Sequence, residues 1–254
     1  MRYIGFYNTS GSVQTAIDEQ ELGKPYVVYL RDEHRLDWNS ISATPPLSAQ
    51  PLTFEIISAD TISFVRNKDL YSGPELTIEY NLNKGGWSEI TNSFEGTIIP
   101  VSPGDIVQFR GNNPKYITGS LIDKQNTQLK VNGLYKIYGN IASLMSSTNF
   151  TSINDFPDYC FWQFFAGETG LTEVTELAFG NNIGSASWHA YCFQGLFRNC
   201  TNLTLLKTLA QGSFGRAQFR NWLDGAYATG TLVKNPISSF ETYIMPNGWT
   251  VQDA

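Results

Sequence analysis

A self-similar stretch late in the chain limits its fold more than any other feature. Tyr159-Cys160-Phe161-x-x-Phe164-Phe165 returns as Tyr191-Cys192-Phe193-x-x-Leu196-Phe197. Each copy leads into an apolar ladder, Leu171-x-x-Val174-x-x-Leu177 and then Leu203-x-x-Leu206-x-x-Leu209. Phe161 and Phe193 stand 32 positions apart, and so do Leu171 and Leu203. A fixed period of this size signals supersecondary units that bury a core only by stacking on one another. Stacked units build extended surfaces for holding things and rarely form catalytic pockets by themselves, which favours a binding or structural role.

A shorter third copy, Phe219-x-x-Trp222-Leu223, follows 26 positions after Phe193. Positions i, i+3 and i+4 share one face of a helix. The spacing therefore predicts, in each copy, a short helix with an aromatic stripe, a turn and a short extended segment. Asp155 and Ser187 are the expected N-caps of the first two helices. Helices this short are marginal alone, so the stripe is expected in the core between copies.

The patterning upstream has period two. Short alternating segments at 52–56, 61–65, 76–80, 97–101 and 106–110 are separated by turn chemistry, as in a β-sandwich over 51–140. Asn81 to Gly86 reads as a tight hairpin leading to Trp87, and Ser102-Pro103-Gly104-Asp105 as a turn. Further strands are expected around 129–131 and 135–138. Residues 1–50 read as a docking segment with a Pro-rich linker from Ile41 to Pro51. Gly11 to Ile17 suggests a cap and short helix, Tyr26 to Leu30 a strand, Arg31 to Arg35 a charged turn, and Leu36-Asp37-Trp38 a returning strand. This segment is too small to bury Tyr26, Val28, Tyr29, Leu36 and Trp38 by itself, so these are the expected partner-docking residues, the alternative being that the segment folds back on the β-sandwich of this chain. The fold class expected is α+β, mostly β, with repeats and a C-terminal cap formed by Trp249 and Val251 over 141–254.

Composition narrows function. The formal net charge is −6 and charged residues make up 16%, without the dense basic runs of a nucleic-acid binder. No stretch approaches the length of a membrane span. Met1 to Asn8 lacks the apolar core of a signal peptide, which predicts a chain made in a cytoplasm, its N-x-S/T sequons unglycosylated. Cys160, Cys192 and Cys200 show neither C-x-x-C spacing nor paired histidines and are expected as free, buried thiols. His34 and His189 have no nucleophile-and-acid motif near them, and no phosphate loop or metalloprotease motif is present. The acid pairs Asp32/Glu33 and Asp155/Asp158 read as solvated charge and caps rather than a glycosidase pair. No enzyme, cofactor or metal site is expected. Some of the many aromatic rings are expected at the surface, where they suit sugars or protein partners.

Two resemblances add to this reading. Tyr191-Cys192-Phe193-Gln194-Gly195-Leu196-Phe197-Arg198-Asn199-Cys200-Thr201-Asn202-Leu203-Thr204 resembles the BspA-type leucine-rich repeat, whose pattern is Tyr-x-x-Met-Phe-x-x-Cys-Thr-x-Leu-Thr. The first copy departs from it with Ala166-Gly167-Glu168-Thr169-Gly170, and the third with Ala226 at the Cys position. Leu22-Gly23-Lys24-Pro25-Tyr26-Val27-Val28-Tyr29, Asp37-Trp38-Asn39, Leu52-Thr53-Phe54, Gly139-Asn140-Ile141-Ala142-Ser143-Leu144 and Pro246-x-Gly248-Trp249-Thr250-Val251 resemble pieces of virion proteins of crAss-like phages infecting Bacteroides. That resemblance implies a virion component of the head-fibre, decoration or tail-appendage kind, homo-oligomeric in the particle. Its N-terminal segment would dock onto other virion proteins and leave a surface for a host glycan or protein. A carbohydrate-active enzyme of a phage fibre and a bacterial surface adhesin are the competing classes.

Overall fold

The computed structural model describes residues 2–7, 26–30, 45–66, 76–90, 97–114, 119–120, 124–125, 127–181, 189–214, 216–240 and 245–254. The chain divides into two compact units, Met1–Pro46 and Leu47–Ala254. In the first, β1 (Arg2–Tyr7) pairs in parallel with β2 (Tyr26–Leu30). The strand expected at 26–30 is present, and its partner β1 was not anticipated. The helix expected at 11–17, the charged turn with His34, and the returning strand with Leu36 and Trp38 lie outside the described residues.

The second unit is built on one nine-stranded sheet. Its antiparallel half runs β12 (Tyr135–Asn140), β3 (Leu52–Ile56), β8 (Ile106–Gly111), β5 (Ile78–Leu82) and β6 (Trp87–Ile90). From β12 the sheet continues in parallel through β13 (Leu171–Ala178), β14 (Leu205–Thr208), β16 (Gly230–Lys234) and β18 (Trp249–Asp253). A three-stranded sheet, β11 (Thr127–Asn132), β4 (Thr61–Arg66) and β7 (Thr97–Pro100), packs on the antiparallel half. Two minor pairs, β9 (Gly119–Ser120) with β10 (Lys124–Gln125) and β15 (Ser213–Phe214) with β17 (Ser239–Phe240), complete the strands described. The structure is 40% strand and 8% helix, so the mostly-β expectation holds. The described strands between 51 and 140 that pair with one another do so antiparallel, and the expected change of pattern near residue 141 is a switch from antiparallel to parallel inside one sheet. β12 carries that switch by pairing with β3 on one side and β13 on the other.

The helices expected in the repeats are replaced by a ladder of stacked turns. Residues 158–167 and 191–199 are consecutive turns, and only Arg216–Phe219, α1, is α-helical in the third copy. The amides of Cys160, Trp162, Phe164, Ala166 and Glu168 donate to the carbonyls of Pro157, Tyr159, Phe161, Gln163 and Phe165 in the same coil. The alternate amides of Tyr159, Phe161, Gln163, Phe165 and Gly167 donate across to Ala190, Cys192, Gln194, Leu196 and Arg198 at 2.7–3.4 Å. The second coil bonds to the third in the same manner, from Phe193, Gly195, Phe197 and Asn199 to Gln218, Arg220, Trp222 and Asp224. Every fourth residue is left-handed: Tyr159, Gln163 and Gly167, then Tyr191, Gly195 and Asn199, then Asn221 and Gly225. The backbone period is therefore four, and it buries the pairs Cys160/Phe161 and Phe164/Phe165 in turn. Asp155 caps no helix; its Oδ1 lies 3.3 Å from His189 Nε2. Ser187 is outside the described residues.

One core runs through the unit. Phe64 of β4 meets Phe109 of β8 with ring centroids 5.1 Å apart, and Phe54 of β3 meets Phe165 of the first coil at 6.2 Å. Phe161 stacks on Phe193, and Phe193 on Phe219, at 5.9 and 5.2 Å. Each such ring removed from water contributes roughly 1.5–3 kcal/mol. The turn ladder thus continues the layer that the three-stranded sheet begins. The cysteines are free and buried, as expected. Trp249 is buried at the edge strand β18 and donates Nε1–H to Tyr227 O at 2.9 Å, whereas Val251 is exposed. The expected cap is therefore Trp249 alone. The Pro-rich linker ends earlier than expected, because Leu47–Ala49 forms a 3-10 turn in the body, and Pro51 bridges to Asn140.

Candidate functional site

A half-open groove of about 500 Å³ lies where the three-stranded sheet meets the first coil. Thr61 and Ser63 of β4, Leu129 to Asn132 of β11, and Ala166 to Glu168 of the coil line it. β-strand alternation brings Thr61 and Ser63 to one face of β4. The antiparallel register sets Thr61 opposite Asn132 and Ser63 opposite Lys130. The groove offers two hydroxyls, an amide, an ammonium and one carboxyl. It is a hydrogen-bonding surface without a nucleophile-and-base pair among the described residues.

Glu168 is its one buried charge. Its Oε2 accepts from the Tyr135 hydroxyl at 3.0 Å and from the Val131 amide at 3.2 Å. Burial disfavours the ionised form and pushes the carboxyl up from 4.5 to about 7. The two hydrogen bonds and the Lys130 charge pull the other way and only partly offset it. The buried Tyr135 hydroxyl is in turn pushed well above its ordinary value, first by burial and then by the Glu168 charge.

Sequence patterning did not single Glu168 out. The only signal was the departure of Ala166-Gly167-Glu168-Thr169-Gly170 from the repeat pattern. Among the expected docking residues, the structure places Tyr26, Val28 and Tyr29 on β2, while Leu36 and Trp38 lie outside the described residues. His189 sits between exposed acids, with Nε2 3.3 Å from Asp155 and Nδ1 3.8 Å from Asp158. Among the described residues most large aromatics are core, but Trp87 is half-buried beneath the Arg110 guanidinium, 4.0 Å from its ring centre. Among the described residues, no group of three or more His, Cys, Asp and Glu could hold a metal, and no helix is long and apolar enough to cross a membrane.

No family model, no curated protein and no solved structure matches the chain.

Proposed function

We propose that this chain is a non-enzymatic structural protein of a phage virion. In this reading it is a head-fibre, decoration or tail-appendage subunit with BspA-like repeats, docked by its N-terminal segment. The observation that carries the reading is the division of the chain into unequal units. Met1–Pro46 is a compact unit whose described strands form a two-stranded parallel sheet. A sheet of two strands is marginal without something to pack on. Leu47–Ala254 has a continuous core of its own. A small unit whose described strands form only a two-stranded sheet, in a chain whose larger unit has a core of its own, suits a subunit that docks through the small unit. Tyr26, Val28, Tyr29, Leu36 and Trp38 are the anchors in this reading, and the resemblance to virion proteins of crAss-like phages supplies the partners.

The groove favours this reading over a fibre hydrolase. Glycoside hydrolysis ordinarily uses two carboxyl groups flanking the scissile bond, and the groove has one among the described residues. The test is a chain beginning at Leu47, produced beside the full chain during particle assembly. The reading expects the short chain to fold and fail to incorporate. Equal incorporation of both would overturn the docking role, and release of oligosaccharide from host capsule by the purified protein would overturn the non-enzymatic one.

A further inference from the structure

Glu168 occupies a core position of the repeat. Its amide donates to Phe165 O, as that of Cys200 does to Phe197 O and that of Ala226 to Leu223 O. The three residues are therefore equivalent in successive coils. In the second coil this position holds a buried thiol whose Sγ–H donates to Phe165 O at 3.0 Å. In the first coil the neighbouring element is the β11–β12 turn, and Glu168, a residue only 8% exposed, reaches it with its carboxyl. A single oxygen, Oε2, joins three elements: the coil, β11 through the Val131 amide, and β12 through the Tyr135 hydroxyl. The turn is also pinned by backbone, since the Tyr135 amide donates to Gly170 O at 3.0 Å.

We propose that Glu168 is a proton-operated latch that fastens the β11–β12 turn to the first coil and loosens it when the carboxyl ionises. Oε2 already accepts two hydrogen bonds, so the proton of the neutral acid sits on Oε1. Oε1 has no hydrogen bond to a described residue. Glu168 lines the half-open groove, which gives the carboxyl a route for proton exchange with solvent. The titratable groups facing the carboxyl are Tyr135 from β12, Lys130 from β11 and Cys200 from the second coil.

The direction follows from the raised folded-state value of about 7 against an ordinary 4.5. Below about 4.5 the carboxyl is neutral whether the seam is closed or open, and the closed seam has its full stability. As pH climbs from there toward 7, the opened or unfolded chain ionises first and that stability is lost. Above 7 both forms are ionised and the loss is complete. The latch therefore holds in acid and slackens above neutrality.

The experiment is amide hydrogen exchange on the full chain at about pH 5 and pH 8, corrected for intrinsic exchange, with the β3–β8 amides as internal reference. The Val131 and Tyr135 amides are expected to lose protection relative to that reference by up to roughly a hundredfold at the higher pH. Glu168→Gln keeps a neutral acceptor and is expected to abolish the pH step. Equal protection at both pH values in the wild type, or an undiminished step in Glu168→Gln, overturns the proposal. Tyr135→Phe gives an independent reading, because it removes a donor that favours the charged carboxyl. It is expected to move the midpoint of the step to higher pH, and an unmoved midpoint overturns the latch.

Discussion

Phe165 and Phe197, 32 residues apart in sequence, lie ring on ring, with planes 8° apart and centroids separated by 5.4 Å. Both are fully buried, and the amide of Phe165 donates to Leu196 O beside its stacked partner. The aromatic column and the inter-coil hydrogen bonds therefore hold the same pair of coils. Truncating such a ring costs the lost transfer energy plus the cavity left behind. Phe197→Ala is expected to destabilise the body by about 3–5 kcal/mol in urea unfolding. Phe197→Leu, which keeps most of the volume, is expected to cost less than half as much. A double-mutant cycle with Phe165→Ala should show coupling of about 0.5–3 kcal/mol, as expected for residues in contact; strict additivity would mean that the stack carries no energy.

Gly195 tests the four-residue period. Its φ is +63°, and a Cβ there would lie 2.9 Å from Gln163 Cγ, the equivalent position one coil earlier. Gly195→Ala adds a left-handed penalty of about 1 kcal/mol and a clash with that side chain. In a Gln163→Ala background the clash is relieved and the backbone penalty remains. The loss on Gly195→Ala should therefore be smaller in that background by chemical denaturation. Equal losses in both backgrounds would show that the coils are not in this register.

Cys160, Cys192 and Cys200 are buried, and burial pushes all three thiols above their ordinary range. The thiolate is the reacting form, so both access and ionisation oppose modification. Native protein at about pH 8 is expected to release no chromophore from an aromatic disulfide reagent within minutes. All three thiols should react once denaturant is added. A fast-reacting thiol in the native protein would place one of these residues outside the core.

The strands of the antiparallel half were legible because their causes are local. Leu52 to Ile56 alternates with period two. Asn83 and Lys84 are both left-handed in the hairpin that closes β5 and β6. Pro103 and Gly104 fit a turn in which the Asp105 amide returns to Ser102 O at 3.0 Å. The coils were misread because Phe161, Phe164 and Phe165 share a face at a period of 3.6 and also at a period of four, and two turns are too few to separate them. What decides between the two is the set of bonds from each coil to the next, and no residue in a single copy reports those bonds. The continuity of the sheet was hidden for a similar reason, since the strand pattern of β12 does not say that both of its edges are taken. Glu168 was visible only as an irregularity, and its meaning depends on Tyr135 and Val131, which stand far from it in sequence.

Asn140 is where the Leu47–Ala49 turn, the sheet and the ladder side of the body are tied together. It is fully buried. Its Oδ1 accepts from the amides of Ala142 at 3.1 Å and Gly180 at 2.9 Å, while its Nδ2 donates to Ser48 O at 3.1 Å and Gly180 O at 2.7 Å. Both donors and both acceptor sites of the amide are used, which is the full capacity of the side chain. Its neighbour Ser143 works similarly, donating to Phe109 O and accepting from the Leu52 amide. Asn140→Ala leaves several buried backbone groups unpaired, each worth about 1–3 kcal/mol, so a loss on the order of 3 kcal/mol or more is expected. Asn140→Asp has the same shape but turns an oxygen toward the carbonyls of Ser48 and Gly180. A carboxylate facing two carbonyl oxygens without a donor is worse than a small apolar gap. The ordering expected in urea unfolding near neutral pH is therefore wild type, then Asn140→Ala, then Asn140→Asp as the least stable. Acid should partly restore Asn140→Asp, because the protonated form supplies one of the two missing donors. If Asn140→Asp proves as stable as wild type near neutral pH, the Nδ2 bonds to Ser48 and Gly180 do not hold this junction.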